Sequence, residues 1–320
     1  MELIYTDKNY VEQGILKNYS LDMAFGEDEN DFELETRTDS HVMESGCLFY
    51  GYNSEIGGVV DGIAVDTSDN KLTYSGRTWH GILEKKILEP ASGNDYYTLS
   101  GELNAIIGKI ITDIGMDDLF YAPSTSTGIS VTYQFDRYTD AYKGICKMLK
   151  SKGYKLKIYY DPDVKKVHLE AVPLIDYSKD EEFDESQFNF KIKKSRTTNH
   201  LICLGQGELK ERTVVHLYAN SDKEIVDTQC FFGIDEIIEI YENTGDETEA
   251  VLKEDGIKRF EDILNNDSID TSFDEHECIY DIGDIVGGKE YITETTVSEY
   301  VTKKIVKIKD EVLSIDCEVG

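Results

Sequence analysis

The sequence predicts a multidomain α+β protein in which β-rich parts flank a part of mixed helices and strands. With 320 residues, the chain exceeds the size at which one hydrophobic core keeps growing, so several packed units are expected. Apolar residues alternate with polar ones near both ends, whereas the middle shows apolar residues at helical spacing. We predict a first β-rich domain over residues 1–93, an α/β domain over 94–193, and a second β domain over 194–320 with a helical insert at about 232–267.

The first predicted domain contains a hairpin followed by a short helix. The apolar run Val59–Val65 precedes a polar, turn-like stretch, after which Lys71–Ser75 alternates again. Beyond this hairpin, a helical pattern begins near Trp79, the only tryptophan of the chain. We expect this helix to end near Leu88, because Pro90 disfavours helical backbone just before it.

The second predicted domain has the order helix, strand, helix, hairpin. Ser100 is the expected N-cap of the first helix, whose apolar residues recur every three or four positions until Gly115 ends it. A short strand is predicted over Ile129–Phe135, and Thr139 is the expected cap of the second helix. Two alternating runs within Tyr154–Ala171 predict a hairpin.

The last third of the chain returns to β patterning. The acidic run Asp180–Glu185 is expected to be a solvated connection. His200–Leu204 and Arg212–Tyr218 predict two strands joined by a short loop. Residues 234–266 show apolar stripes that predict helix, and the alternation of Leu313–Val319 predicts a final strand.

The charge excludes some partners. The chain has 33 basic and 64 acidic residues, a net charge of −31, yet 40% of its residues are hydrophobic, so packed cores are expected rather than disorder. An acidic surface repels the phosphates of nucleic acids and anionic membranes, because binding there requires Lys and Arg. The N-terminus lacks a signal-peptide pattern and no apolar run has the length of a membrane helix, so we expect folding in a cytoplasm.

Cysteine spacing favours thiols over disulfides or zinc sites. None of the six cysteines forms a CxxC pair, and in a reducing compartment such residues are expected to be buried or free thiols. They are Cys47, Cys146, Cys203, Cys230, Cys278 and Cys317.

Three stretches resemble parts of functional sites, but a structural role is expected for each. Asp274–Cys278 gathers possible metal ligands, yet neighbouring residues of a strand or loop point in opposite directions, which favours a solvated turn. Gly205–Gly207 lacks the third glycine and the helix of a dinucleotide site, which favours a hairpin loop. Trp79 and His80 could bind a sugar, but a buried pair at a domain seam is favoured. We therefore predict no catalytic, cofactor-binding or metal-binding residue, and no enzyme.

Three segments together resemble a known family. They are Ile56–Leu83, Asn199–Ala219 and Tyr280–Gly288, the last followed by Lys303–Val306 and a final Val-Gly. These segments resemble the tail hub, or baseplate hub, proteins of siphophages and of prophages in Gram-positive gut bacteria. They occur in order from residue 56 to residue 320, so the resemblance covers nearly the whole chain.

The resemblance implies a virion structural protein at the tail tip. Two β-barrel-like domains of each subunit would form part of a trimeric ring that continues the tail tube, and the α/β domain would lie outside it. The implied partners are further copies of the chain, distal tail and tail-tube proteins, the tape-measure protein and receptor-binding tip proteins. DNA would pass through the ring without being bound. Many relatives carry a C-terminal hydrolase or receptor-binding part, whereas this sequence ends at Gly320 after strands, so those roles are expected of other proteins.

Two other classes of function stay open at this point. A carbohydrate-binding module of a phage or cell surface would expose aromatic side chains in a groove, with Trp79 or several tyrosines as candidates. A tail-associated hydrolase would need a cleft that holds carboxylates with perturbed pKa values, or a Cys and a His in contact.

Overall fold

The structure is a computed structural model that describes residues 1–179, 196–243, 245, 248–265, 278–290 and 295–320. Its backbone divides into two compact units. The large unit comprises Met1–Asn189 and Ser272–Gly320, and the small unit comprises Phe190–Thr271. The predicted acidic connection Asp180–Glu185 and residues 274–277 of the candidate metal cluster lie outside the described residues.

The large unit begins with seven strands and a short helix: β1 (Ile4–Thr6), β2 (Glu12–Ile15), β3 (Ser20–Gly26), β4 (Asp31–Arg37), β5 (Leu48–Tyr50), β6 (Gly57–Asp66), β7 (Lys71–Thr78) and α1 (Trp79–Glu84). The predicted hairpin is confirmed, since β6 and β7 pair antiparallel. The register shifts between Val60 and Gly62, so Asp61 lies in a β-bulge. The Thr78 hydroxyl caps α1 by accepting a hydrogen bond from the backbone N–H of Gly81.

The middle of the large unit contains two helices and five strands: β8 (Thr98–Glu102), α2 (Leu103–Asp113), β9 (Phe120–Tyr121), β10 (Ser130–Gln134), α3 (Ala141–Lys150), β11 (Tyr154–Asp161) and β12 (Lys166–Pro173). Both helices and the hairpin β11–β12 were predicted, but both predicted caps are wrong. Glu102 caps α2 and Asp140 caps α3, each through its carboxylate. Ser100 instead lies within β8, because pairing with β10 extends that strand to Glu102.

In the described part of the small unit there are four strands and one α-helix: β13 (His200–Leu204), β14 (Val214–Ala219), β15 (Ile225–Val226), β16 (Ile238–Glu242) and α4 (Glu249–Asn265). The helix predicted from residue 234 is wrong over its first part. Residues 238–242 form β16 because their apolar side chains also fit a period of two, and β16 pairs with β13 in parallel.

The chain closes with β17 (Ile285–Glu290), β18 (Thr295–Lys309) and β19 (Val312–Val319). Among the described residues, a ten-stranded sheet has the order β17-β18-β3-β4-β7-β6-β5-β1-β2, with β19 also paired to β18, and it curls into a half-barrel. β18 pairs antiparallel with β3, and β19 extends the sheet beyond β18. This return of the C-terminal strands to the N-terminal sheet was not predicted from the sequence. The domain limits at residues 93 and 193 stay a prediction.

Separate hydrophobic cores hold these elements. One core lies where α2 and α3 cover the sheet of β11, β12 and β9, with Ile107, Ile145 and Leu169 fully buried. A second fills the half-barrel, with Phe32, Phe49 and other apolar side chains. In the small unit, α4 packs on one face of the sheet.

The expectation of six thiols is wrong for two of them. Cys278 and Cys317 form a disulfide across 39 residues, with their Cα atoms 5.9 Å apart. The other four cysteines are free. Sequence spacing cannot reveal such a pair, because the proximity arises only where the loop before β17 lies against β19.

Candidate functional site

The structure buries Trp79 and His80, which sequence analysis considered for sugar binding. Trp79 has no exposed surface, and His80 is almost as deeply buried. The His80 ring stacks on Phe25 and meets the edge of Tyr142. Its Nε2 lies 3.6 Å from Oε1 of Glu55. A sugar ring has no access to either side chain, so this pair supports the packing of α1 rather than a glycan site.

Glu55 also belongs to a cluster of five charged side chains in the large unit. Lys155 Nζ lies 2.9 Å from Oδ2 of Asp281 and 2.7 Å from Oδ2 of Asp284. Lys304 Nζ lies 3.0 Å from Oε2 of Glu55 and 3.2 Å from Oδ1 of Asp281. Asp281 therefore bridges the two lysines. We call these five residues the charge cluster.

Segments far apart in the sequence supply the charge cluster. Lys155 belongs to β11 and Lys304 to β18, Glu55 lies in the loop before β6, and both aspartates lie in the turn before β17. The side chain of Asp284 is only 1% exposed. It also accepts hydrogen bonds from the backbone N–H groups of Ile175 and Asp281. These bonds satisfy the remaining lone pairs of a buried carboxylate.

Neighbouring opposite charges favour the ionised forms of three residues of the charge cluster, Glu55, Asp281 and Lys304. Burial by itself raises the pKa of the Asp281 carboxyl, but Lys304 and Lys155 lower that pKa below its ordinary value. Burial likewise raises the pKa of the Glu55 carboxyl, and Lys304 and His80 bring it below the ordinary value. Burial lowers the pKa of Lys304, but Glu55 and Asp281 raise it above the ordinary value. These shifts move the pKa values of the three groups further from pH 7. A catalytic acid or base needs a pKa near the working pH, so the shifts suit a structural ion network rather than acid–base catalysis.

Sequence analysis missed the charge cluster. Lys155 lies between the apolar positions of β11, where alternation predicts an exposed side chain, yet only 6% of the residue is exposed. The sequence feature that could have indicated the cluster is the pair of aspartates in Asp281-Ile-Gly-Asp284. Gly283 adopts a φ of +92°, which favours glycine, and the resulting turn directs both carboxylates to one lysine.

One face of the small unit's sheet carries exposed apolar side chains. The sheet order is β15-β14-β13-β16. Leu252, Phe260 and Leu264 of α4 pack on its inner face. On the outer face, Ile238 and Ile240 of β16 are 50% and 59% exposed, and Val214 of β14 is exposed on the other side of β13. We call this the uncovered face, in reference to the described part of the chain.

Two histidines and a glutamate line up on the uncovered face. Nδ1 of His200 lies 2.7 Å from Oε1 of Glu236, and its Nε2 lies 2.8 Å from Nδ1 of His216. His200 belongs to β13 and His216 to the neighbouring strand β14. The carboxylate orients His200, which in turn orients His216, and this fixes the side chains at the middle of the face.

The loop Gly205–Gly207 joins the antiparallel strands β13 and β14, as predicted for a hairpin. Gly207 has a φ of +104°, and a Cβ there would lie 2.5 Å from the carbonyl O of Glu211. Within the described ranges, no group of three or more His, Cys, Asp or Glu side chains is placed to hold a metal ion. No described helix combines the length and the apolar character needed to span a membrane.

No protein-family model matches the chain, and no curated protein matches it. Several solved structures, however, match it. The 43 kDa tail protein of prophage MuSo2 from Shewanella oneidensis has a TM-score of 0.53 at 12% identity, covering 100% of this chain and 98% of that one. A tail protein from Neisseria meningitidis has a TM-score of 0.50 at 10% identity, covering 99% and 95%.

A third similar structure is the prophage tail protein gp18 from Listeria monocytogenes. Its TM-score is 0.50 at 13% identity, and the match covers 99% of this chain and 94% of that one. All three matches extend over nearly the whole of both chains. This chain therefore has the fold of prophage tail proteins, as the resemblance in its sequence implied.

Proposed function

We propose that the chain is a structural subunit of a phage or prophage tail, a hub at the tail tip that assembles as a trimeric ring continuing the tail tube. One observation carries the proposal: the fold matches three prophage tail proteins from end to end. A fold by itself does not define a function, so the proposal also rests on the sheet edges, the apolar face and the charge of this chain.

The proposed ring uses two barrel-like β modules in each subunit. The curled ten-stranded sheet is the first and the four-stranded sheet of the small unit is the second, while the part with α2 and α3 lies outside the ring. An open sheet presents unpaired backbone groups at its edges, and in the described residues β2 and β16 are such edges. Pairing or covering these edges in a closed assembly would remove an aggregation hazard, which supports a ring.

The uncovered face is the proposed contact between copies. The chain carries a net charge of −31, so neighbouring copies repel each other, and a contact between them must supply an attraction that offsets this repulsion. Ile238, Ile240 and Val214 provide exposed apolar surface for such a contact. Burial of apolar area contributes about 25 cal/mol per Å², so several such side chains can offset the repulsion.

The acidity suits the passage of DNA. We propose that acidic side chains line the bore of the ring, where phosphates meet no cations to hold them. Distal tail and tail-tube proteins, the tape-measure protein and receptor-binding tip proteins are the proposed partners, at the virion tail tip after folding in the host cytoplasm. The protein has no enzymatic role in this proposal.

Immunoelectron microscopy tests the proposal directly. Particles induced from the source bacterium are labelled with antibody against this chain, and the expected label lies at the tail end distal to the capsid. An antibody against a capsid protein serves as the control. Label on capsids, or none on tailed particles, would contradict the proposal. Class averages of labelled tips are expected to show threefold symmetry.

A further inference from the structure

We propose that the Cys278–Cys317 disulfide is a redox latch, which fastens the loop 278–284 onto β19 and thereby holds the charge cluster in place. The disulfide and the loop that it fastens both belong to the large unit. Only the order in which the chain meets a reducing and then an oxidising environment rests on the proposed function. Cys278 lies beside the outer strand β19, and its backbone N–H donates a 2.9 Å hydrogen bond to the carbonyl O of Ile315. The disulfide to Cys317 adds a covalent link two residues further along the same strand.

The surroundings allow the bond to form and break. Both cysteines are half-buried, and they pack against a small apolar cluster that contains Tyr280, Val286 and Val301. A small thiol or disulfide can therefore reach the sulfur atoms, whereas fully buried cysteines such as Cys203 are shielded. Their Cα atoms are 5.9 Å apart, within the usual range for a disulfide, so the backbone positions of the two residues suit the bond.

The loop that the disulfide anchors carries two of the five charge-cluster residues. Asp281 and Asp284 lie three and six residues after Cys278. Both form ion pairs with Lys155, and Asp281 also pairs with Lys304. The disulfide fixes the start of this loop, and the ion pairs fix its end. When the bond is reduced, the loop start loses its covalent link to β19, so the loop opens more often and the buried lysines lose their partners more often.

The chemistry is a balanced thiol–disulfide exchange. One cysteine thiolate attacks a small-molecule disulfide of the glutathione type, forming a mixed disulfide and releasing one small thiol. The second cysteine thiolate then attacks the mixed disulfide and releases the second small thiol. In total the two cysteines lose two electrons and two protons, which the two small thiols carry away. A reducing cytoplasm favours the open dithiol, whereas an oxidising environment outside the cell favours the closed latch. The chain would thus stiffen after leaving the compartment in which it folds.

The test compares hydrogen exchange and thermal unfolding in the oxidised and reduced protein. After treatment with glutathione disulfide, non-reducing peptide mapping is expected to find the Cys278–Cys317 link. Reduction with dithiothreitol is expected to speed backbone exchange severalfold in peptides covering 278–284 and 312–319, to leave 200–219 unchanged, and to lower Tm by several degrees.

Variants separate the latch from other redox effects. Cys278→Ser and Cys317→Ser are each expected to behave as the reduced protein under both conditions. Cys230→Ser removes an exposed free thiol and is expected to keep the full redox response. Absence of the link after oxidation, or equal exchange of 278–284 in both states, would overturn the proposal, as would a Tm shift without a change in that loop.

Discussion

At the residue scale, burial decides what an ion pair contributes. The side chain of Lys155 is 5% exposed and that of Asp284 is 1% exposed, so neither charge can return to water if its partner is lost. The pair formed by Lys147 and Asp136 is equally short, but both of its side chains are more than 60% exposed. Solvent screening leaves such a surface pair with little effect on stability.

Lys155→Met is predicted to lower the free energy of unfolding by about 3–5 kcal/mol, because it leaves Asp284 buried without its cation. The matched control, Lys147→Met, is expected to change it by less than about 1 kcal/mol. Urea unfolding followed by circular dichroism measures both. Equal effects of the two substitutions would show that Asp284 is neutralised in another way.

The pKa shifts predict how stability depends on pH. The pKa of Glu55 is lowered in the folded protein, so its ionised form contributes stability above the ordinary value of 4.5, and this contribution is lost as the pH falls through the folded pKa. Glu55→Gln removes the same contribution at every pH. The difference in unfolding free energy between wild type and Glu55→Gln is therefore expected to be largest near pH 7 and to shrink below about pH 4.

The half-exposed carboxylate of Glu29, which pairs with Lys303, supplies the control for this pH series. Glu29 is 49% exposed, so Glu29→Gln is expected to differ little from wild type across the same range. Comparing variants in this way cancels the general effect of protonating many surface carboxylates. A constant difference between wild type and Glu55→Gln would contradict the assigned role of Glu55.

At the scale of elements, the hairpin β6–β7 depends on a close approach of two backbones. Gly76 pairs with Val60 beside the bulge at Asp61. A Cβ at Gly76 would collide with the carbonyl O of Val59 and lie 2.8 Å from the backbone N of Asp61. In α2, by contrast, a Cβ at Gly108 would meet only the side chain of Ala122, at an ordinary 3.7 Å.

Gly76→Ala is predicted to destabilise the protein by about 2–3 kcal/mol, because the strands must separate to accept the methyl group. Gly108→Ala is expected to stabilise it by about 0.5–1 kcal/mol, since alanine favours the helix and finds room. Both values come from urea unfolding monitored by tryptophan fluorescence, with Trp79 as the reporter. A neutral Gly76→Ala would contradict the close packing of β6 and β7.

At the scale of the whole molecule, charge and exposed apolar surface act against each other. The net charge of −31 keeps copies apart, while the uncovered face favours contact. Raising the salt concentration screens the repulsion and leaves apolar contact intact. Self-association of the purified protein is therefore expected to increase with both protein and salt concentration.

Ile240→Glu is predicted to weaken this self-association at least about tenfold, because it places a charge in an apolar contact. Val65→Glu is a matched control, since Val65 is 58% exposed and Ile240 is 59% exposed, but Val65 lies in β6. Sedimentation velocity over a series of concentrations measures both variants. Equal weakening by the two substitutions would place the contact elsewhere.

The sequence by itself determined the elements whose cause is local. Periodicity and turn residues were enough to predict the hairpins β6–β7, β11–β12 and β13–β14 and the helices α2 and α3, because these structures depend on residues close in the chain. The ordered resemblance to tail hub proteins likewise led to the fold that the solved tail proteins share.

Only the tertiary structure decided the features that join distant residues. The pairing of β18 with β3, the Cys278–Cys317 disulfide and the charge cluster each unite segments that no local pattern relates. β16 shows the same limit. Ile238 fits a helical stripe with Ile234 and Tyr241 but also alternates with Ile240 as in a strand, and pairing with β13 selected the strand. The physical reason is that such choices depend on which partner surface is available, and that surface exists only once the chain has folded.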